Sequence, residues 1–227
     1  MTTLPNSLSA LRDYPQFVLW KLIPDTPKPR KVPINPHTLQ PFGKGEDWQN
    51  RPEMWVSADQ AISTLQHLDD SYGLGFLFTA KDPFFFVDID ACLEDGRWSQ
   101  LAMSLMGYFP GAAVEVSQSG TGLHIFGTYI GTAPEHAKKN QPLNIEYYTE
   151  RRFVALTGNN IIGDIATDHT NGIAQITATY FSPMVNAGDM TEWTSEPVPE
   201  WDGFEDDAEL IAKAMERGGA GSILGNK

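Results

Sequence analysis

The hydrophobic positions of this chain fall mostly into short runs bounded by Pro, Gly, Asn and Asp, the pattern of strands rather than of long helices. Phe17 to Ile23 reads as a strand that Pro24 ends, and Asp25 to Pro36 is too proline-rich for a central strand or a helix. That segment is expected as an extended loop or an edge strand. Gly73 to Thr79 and Phe84 to Asp90 read as two strands joined by the turn Ala80-Lys81-Asp82-Pro83, which predicts a hairpin. Ala112 to Val116, Gly122 to Gly127, Leu143 to Tyr148 and Phe153 to Gly158 complete the strands, the last expected to pair back on the one before it. Helical spacing shows at Ser7 to Tyr14, capped by Asn6 or Ser7, at Arg97 to Tyr108, and near Gly172 to Phe181. Ser57-Ala58-Asp59-Gln60 has the form of a capping box and opens a further helix to about Leu68, with Ala61, Ile62 and Leu65 inward. Trp48 and Trp55 precede it and are expected to pack and seat the helix, the alternative being a platform for a stacked base. Strands and helices in this order predict a mixed α+β fold.

Composition narrows the class without naming a function. The 227 residues are 41% hydrophobic, enough to bury a sizeable core in one large domain or two small lobes. No run of eighteen apolar residues occurs, and the first residues lack the basic-then-apolar pattern of a signal peptide. A single cysteine, Cys92, excludes an internal disulfide or a cysteine-based zinc cluster and suits a reducing cytoplasm. The net charge of −13 argues against a nucleic-acid partner until it is divided along the chain. Residues 1–44 carry six basic residues against Asp13 and Asp25, whereas residues 186–227 carry ten acidic against three basic. The front is basic and the tail acidic, so local patches matter more than the total, and any DNA binding is expected to be weak and salt-sensitive.

Candidate chemistry gathers on three of the strands. In Phe84-Phe85-Phe86-Val87-Asp88-Ile89-Asp90, a strand's two-residue period puts Asp88 and Asp90 on one face and Val87 and Ile89 on the other. Their side-chain bases are then roughly 6–7 Å apart, close enough to converge on one metal ion or bridge two; the alternative is a strand running out into a solvated turn. Ser117-Gln118-Ser119-Gly120-Thr121-Gly122-Leu123-His124 reads as a turn delivering a strand. Gly120 and Gly122 let backbone N–H groups approach an anion, and the Ser119 and Thr121 hydroxyls add donors, as in a phosphate cradle; a plain turn followed by a packed His124 is the other reading. Glu146 is a lone acid in Leu143-Asn144-Ile145-Glu146-Tyr147-Tyr148 and stays ionised only beside a metal, an Arg or a Lys. Arg151 and Arg152 follow in the next turn, either to neutralise Glu146 or Glu150 or to clamp phosphates. Lys28, Arg30 and Lys31 make the proline-rich segment either a solvated basic loop or a phosphate guide.

The order Phe-Val-Asp-Ile-Asp, Ser-Gly-Thr-Gly-Leu-His, Ile-Glu-Tyr-Tyr and Arg-Arg-Phe-Val-Ala-Leu-Thr-Gly resembles the archaeo-eukaryotic primase superfamily, in its phage and plasmid primase-polymerase branch. The resemblance covers roughly residues 10 to 185. It implies an RRM-like catalytic half over 71–185 packed with a smaller N-terminal α/β lobe over 1–70, together a catalytic domain of 1–185. It also implies that Asp88, Asp90 and Glu146 bind two Mg²⁺ or Mn²⁺ ions, and that His124 with Ser119 and Gly120 contacts the incoming nucleotide. Arg152 and Lys31 are expected beside it, Lys31 because Lys31-Val32-Pro33-Ile34-Asn35-Pro36 is similar to a basic residue before a Pro-x-x-Pro stretch in that family.

The implied activity is template-directed nucleotidyl transfer, with single-stranded DNA and nucleoside triphosphates as partners, no membrane, in the bacterial cytoplasm that hosts a phage, prophage or plasmid. Residues 186–227 are expected as an acidic linker with a short helix from Asp206 to Arg217, leading toward a C-terminal helicase region in a longer protein. The closing Gly-rich segment is not a P-loop, since Asn226 separates Gly225 from Lys227 and no strand precedes it. Two rivals are a rolling-circle initiation nuclease and a catalytically silent DNA-binding module. The first needs a His-x-His pair that Ile125 and Phe126 after His124 do not supply, and the second has no need of all three acids.

Overall fold

Residues 3–26 and 28–183 are described by the computed structural model of this chain. In chain order the strands are β1 (Phe17–Ile23), β2 (Arg30–Ile34), β3 (Tyr72–Phe78), β4 (Phe84–Ile89), β5 (Leu93–Glu94), β6 (Arg97–Trp98), β7 (Ala113–Val116), β8 (Leu123–Thr128), β9 (Lys139–Asn140), β10 (Ile145–Tyr148) and β11 (Arg152–Ala155). The α-helices are α1 (Ala58–Leu65), α2 (Gln100–Gly107) and α3 (Thr170–Tyr180). A four-stranded sheet runs β11-β3-β1-β2 and a five-stranded sheet runs β7-β8-β4-β10-β9, with antiparallel pairing in both. The chain is thus α+β.

Phenylalanine sets the relation between the two sheets. Phe84 and Phe86 point from β4 toward the first sheet, where the Phe76 and Phe84 rings meet edge-on at 6.2 Å and Phe78 stacks near Phe86 at 5.9 Å. The alternate positions Phe85, Val87 and Ile89 face the other way, onto Ala102 and Leu105 of α2 and Ile173 and Ile176 of α3. One strand therefore serves two cores. Because Asp88 shares the parity of Phe84 and Phe86, it points toward the first sheet rather than toward the helices. On the far side of the first sheet Val18 and Leu77 pack on Trp48, whose ring stacks on Phe42 at 4.3 Å. Trp48 is buried and Trp55 donates its indole N–H to the Trp48 carbonyl, so both tryptophans pack.

Several local expectations hold. Ser57 accepts from the Gln60 N–H while the Gln60 side chain accepts from the Ser57 N–H, which closes the capping box of α1. The proline-rich segment supplies β2 at a sheet edge, where Pro33 costs no ladder bond to a further strand. Other expectations are corrected. Asn6–Asp13 is a 3₁₀ helix with no side-chain cap. The first part of the predicted Arg97–Tyr108 helix is instead β6, paired with β5, and Ser99 caps α2 by accepting from the Ala102 N–H.

The two expected hairpins do not form. β3 and β4 lie in different sheets, and so do β10 and β11. At the first crossing, the buried Asp82 carboxylate accepts from the Thr79 and Phe84 N–H groups and from the Gln16 side chain, fixing a turn that redirects the chain instead of folding it back. At the second, β11 leaves β10 to pair with β3, Arg152 opposite Phe78. The four-stranded sheet thus draws strands from both sides of residue 70, and the two halves interleave along the chain. The expected linker, the Asp206 to Arg217 helix and the Gly-rich end fall outside the described residues.

Candidate active site

Five ionisable side chains stand in one row across the second sheet. The register pairs Glu115 with His124, His124 with Asp88, Asp88 with Glu146, and Glu146 with Lys139. Directly opposed residues share a face, so the row spans β7, β8, β4, β10 and β9 on the side turned toward the first sheet. Arg152 reaches it from that first sheet, its Nη2 lying 2.7 Å from Glu146 Oε2 and 3.6 Å from Asp88 Oδ2. The crossing of β10 into β11 is what brings the guanidinium to the acids.

The acids differ in their surroundings. Burial pushes the Asp88 carboxyl above the usual carboxylate range; His124, Arg152 and Lys31 pull against this and Asp90 adds to it. A desolvated carboxylate with a second one nearby favours a cation. Burial acts the same way on Glu146, but the Lys139 hydrogen bond and the Arg152 charge outweigh it and hold that carboxyl below its ordinary value. Lys139 Nζ donates to Glu146 Oε1 at 2.6 Å, and the Tyr148 hydroxyl donates to Oε2 at 2.9 Å. The Arg152 guanidinium also lies over the Tyr148 ring, 4.5 Å from its centroid. His124 faces a carboxylate at each end of its ring: Nδ1 is hydrogen bonded to Glu115 Oε1 at 2.8 Å, and Nε2 lies 3.7 Å from Asp88 Oδ1, beyond hydrogen-bond reach.

A cavity of about 690 Å³ opens beside the row, lined among others by Lys28, Lys31, Asp88, Asp90, Ser119 and His124. A smaller one of about 190 Å³ adjoins it, sharing Lys31, Asp88 and His124 and adding Arg152. Of the residues singled out in the sequence, Lys31, Asp88, Asp90, Ser119 and His124 thus share one cavity and Arg152 borders its neighbour. Glu146 stands next to Asp88 but lines neither. Gly120 sits in the turn with φ of 78° and also lines neither. The glycine held by close approach is Gly122, where a Cβ would come within 2.8 Å of the Ile89 carbonyl and 2.9 Å of Ser117 Oγ. The hydroxyls of Ser117, Ser119 and Thr121 form a chain with 3.1 Å links along the cavity wall.

The donor set partly fits a divalent metal. Asp88 and Asp90 offer hard oxygen donors to the same cavity, which suits Mg²⁺ or Mn²⁺. Glu146, expected as a third ligand, is bonded instead to the cations Lys139 and Arg152. Among the described residues no group of three or more His, Cys, Asp or Glu side chains is arranged to hold a metal ion. Cys92 is buried, its thiol pushed up to about 11, and takes no part.

Sequence reading missed Glu115, Lys139 and Asn144. Glu115 is a single acid in a short strand, and only its parity with His124 across β7 and β8 marks it. Lys139 declares itself only through the β9–β10 register. Asn144 lines the large cavity from the left-handed region, with φ of 52°, and its carbonyl accepts the Asp90 N–H. No helix among the described residues is long and apolar enough to cross a membrane.

No protein-family model matches the chain. A curated protein, the DNA primase-polymerase of Nitratiruptor phage NrS-1, is 32% identical over 162 residues, 67% of this chain and 20% of that protein. The chain therefore spans about a fifth of the length of this relative, and over that stretch it is similar to a phage primase-polymerase.

Proposed function

We propose that this chain is a metal-dependent nucleotidyltransferase of the primase-polymerase kind, adding nucleotides to a 3′-hydroxyl on a single-stranded DNA template in phage or plasmid replication. The observation that carries the reading is the row Asp88, His124 and Glu146, with Arg152 brought to it from the other sheet beside a cavity lined by Lys28, Lys31 and Ser119. Likeness to the phage primase-polymerase supports it independently. The sheet order supports an RRM-like half as well. Strand β4, helix α2, strands β7 and β8 and strand β10 lie in the spatial order β7-β8-β4-β10, although α3 follows β10 instead of preceding it.

In this reading Asp88 and Asp90 would hold Mg²⁺ or Mn²⁺, two ions in all, and Glu146 would join them as a ligand on giving up Lys139 and Arg152. Bound there, the metal would supply charge neutralisation for an in-line phosphoryl transfer. The chain's own residues position the nucleotide. His124 Nε2 and the Ser119 hydroxyl meet its phosphates, the Gly120 turn keeps the approach open, and Arg152 and Lys31 balance the triphosphate charge. A guanidinium released from Glu146 is free to do so, and its buried Nε has no hydrogen-bond partner among the described residues. The proposal includes a bacterial cytoplasmic setting and a helicase region in the same full-length protein, both resting on the resemblance alone.

A rolling-circle nuclease is not favoured, because Tyr147 and Tyr148 are buried on a strand and His124 has a glutamate and an aspartate as neighbours. The test is template-directed incorporation by the purified chain with Mg²⁺ or Mn²⁺, on primed and unprimed single-stranded DNA, with ribo- or deoxynucleotides. A product ladder is expected in at least one combination. No product in any of them contradicts the proposal.

A further inference from the structure

The deepest-buried charge-bearing side chain in the row is Glu115, with 0% exposure. Its two oxygens do different work. Oε1 lies 2.8 Å from His124 Nδ1 and accepts the Thr157 N–H at 3.1 Å, while Oε2 accepts the Thr157 and Gly158 N–H groups at 3.1 and 2.8 Å. A buried carboxylate satisfied in this way is an acceptor only, so the nitrogen of His124 that faces it must be the donor. In free neutral imidazole either nitrogen can carry the proton, and the partner of one fixes the role of the other. Thr157 and Gly158 lie just beyond β11, the strand that carries Arg152. One carboxylate thus joins the His124 ring on the second sheet to the strand end of the first sheet.

Resting on the nucleotide site proposed above, we infer that Glu115 is a positioning residue: by accepting from His124 Nδ1–H it aims the Nε2 edge at Asp88 and the cavity, and it ties that ring to the strand bearing Arg152. It lines neither of the two cavities beside the row and acts through the ring. A charge-assisted bond is roughly twice as strong as a neutral one, so the anion, beyond mere shape, keeps the ring in place.

Glu115→Gln separates these roles. With its amide oxygen in the Oε2 position the glutamine still accepts from Thr157 and Gly158, so the fold has its backbone clamp. Its NH₂ group then faces Nδ1 and turns that nitrogen from donor to acceptor. Nitrogen-15 NMR of the full chain reads which ring nitrogen of His124 carries a proton, and binding of a non-hydrolysable deoxynucleotide triphosphate with Mn²⁺ reads the consequence. Wild type is expected to show the proton on Nδ1. The variant is expected to lose it, so that the ring meets a phosphate as a neutral Nε2–H donor instead of as one that donates from both nitrogens, and to bind the nucleotide about three- to tenfold more weakly, with Mn²⁺ binding alone unchanged. A wild-type ring protonated on Nε2 only overturns the inference, and this half of the test requires no variant to fold. So does a folded Glu115→Gln that binds nucleotide as wild type does while His124→Ala binds it more weakly. If neither Glu115→Gln nor His124→Ala alters nucleotide binding, the proposed phosphate contact of His124 is what fails, and the positioning role goes with it.

Discussion

At the scale of single residues, the site is held by a cation that the chain itself supplies. Arg152 bridges Glu146 and Asp88 across two sheets, so Arg152→Ala removes one partner from each acid at once. The pair is partly exposed, and after solvent screening its loss is expected to cost only about 1 kcal/mol of stability. Nucleotide affinity is expected to fall several-fold, more than the melting temperature would suggest; titration with a triphosphate analogue alongside thermal unfolding checks this. A stability loss with unchanged affinity would make Arg152 a structural tie between sheets. Which face a residue takes is readable in the sequence where strand period is clear, as at Asp88 and His124, which the register brings opposite each other. It was not readable at Glu115 or Lys139, because a charged residue in a short strand gains meaning only from the residue opposite it, and register is a property of the folded sheet.

At the scale of elements, β1, β7 and β8 were legible because alternation and flanking turn residues act locally. Pairing was not. Neighbouring strands usually pair, but the turn at Asp82 and the one after Tyr148 carry the chain from one sheet to the other, and the forces that decide this come from Phe76, Phe78, Phe84 and Phe86 meeting across the core. The edge strand β2 and the loop before it carry the basic residues. Lys28 and Lys31 line the large cavity, whereas Arg30 pairs with Asp25 and is largely exposed. Lys28→Ser with Lys31→Ser is therefore expected to weaken DNA or nucleotide binding and flatten its salt dependence by up to about two phosphate contacts, with little added by Arg30→Ser. Affinity measured over a series of salt concentrations checks it; an equal loss from Arg30→Ser alone would point to a different path for the phosphates.

At the scale of the whole molecule, two histidines outside the row, His169 buried and His136 half-buried, are expected to make stability depend on pH. Burial lowers the pKa of His169, wedged edge-on between Phe85 and Phe109, and burial likewise lowers that of His136, which lies against Tyr147. A folded-state pKa below the unfolded value of about 6.5 means that the unfolded chain binds more protons on acidification. Their contribution is complete above about pH 6.5 and is lost as pH falls through the folded values. Thermal unfolding between pH 7.5 and 5 is expected to show a declining melting temperature, with a shallower decline in His169→Gln and His136→Gln combined. An unchanged slope would assign the acid sensitivity to other groups.

In the proposed function the row through Asp88 performs metal-dependent nucleotide addition, and Asp88→Asn removes the acid at its middle. Asparagine keeps the shape and removes a charge that burial disfavours, so the variant should melt at or slightly above the wild-type temperature. Single-turnover primer extension, with Mg²⁺ or Mn²⁺ present and melting temperatures matched, is expected to show incorporation reduced by at least about a thousandfold, the scale on which catalytic charge stabilisation acts. A folded Asp88→Asn protein that extends primers at the wild-type rate would contradict the account.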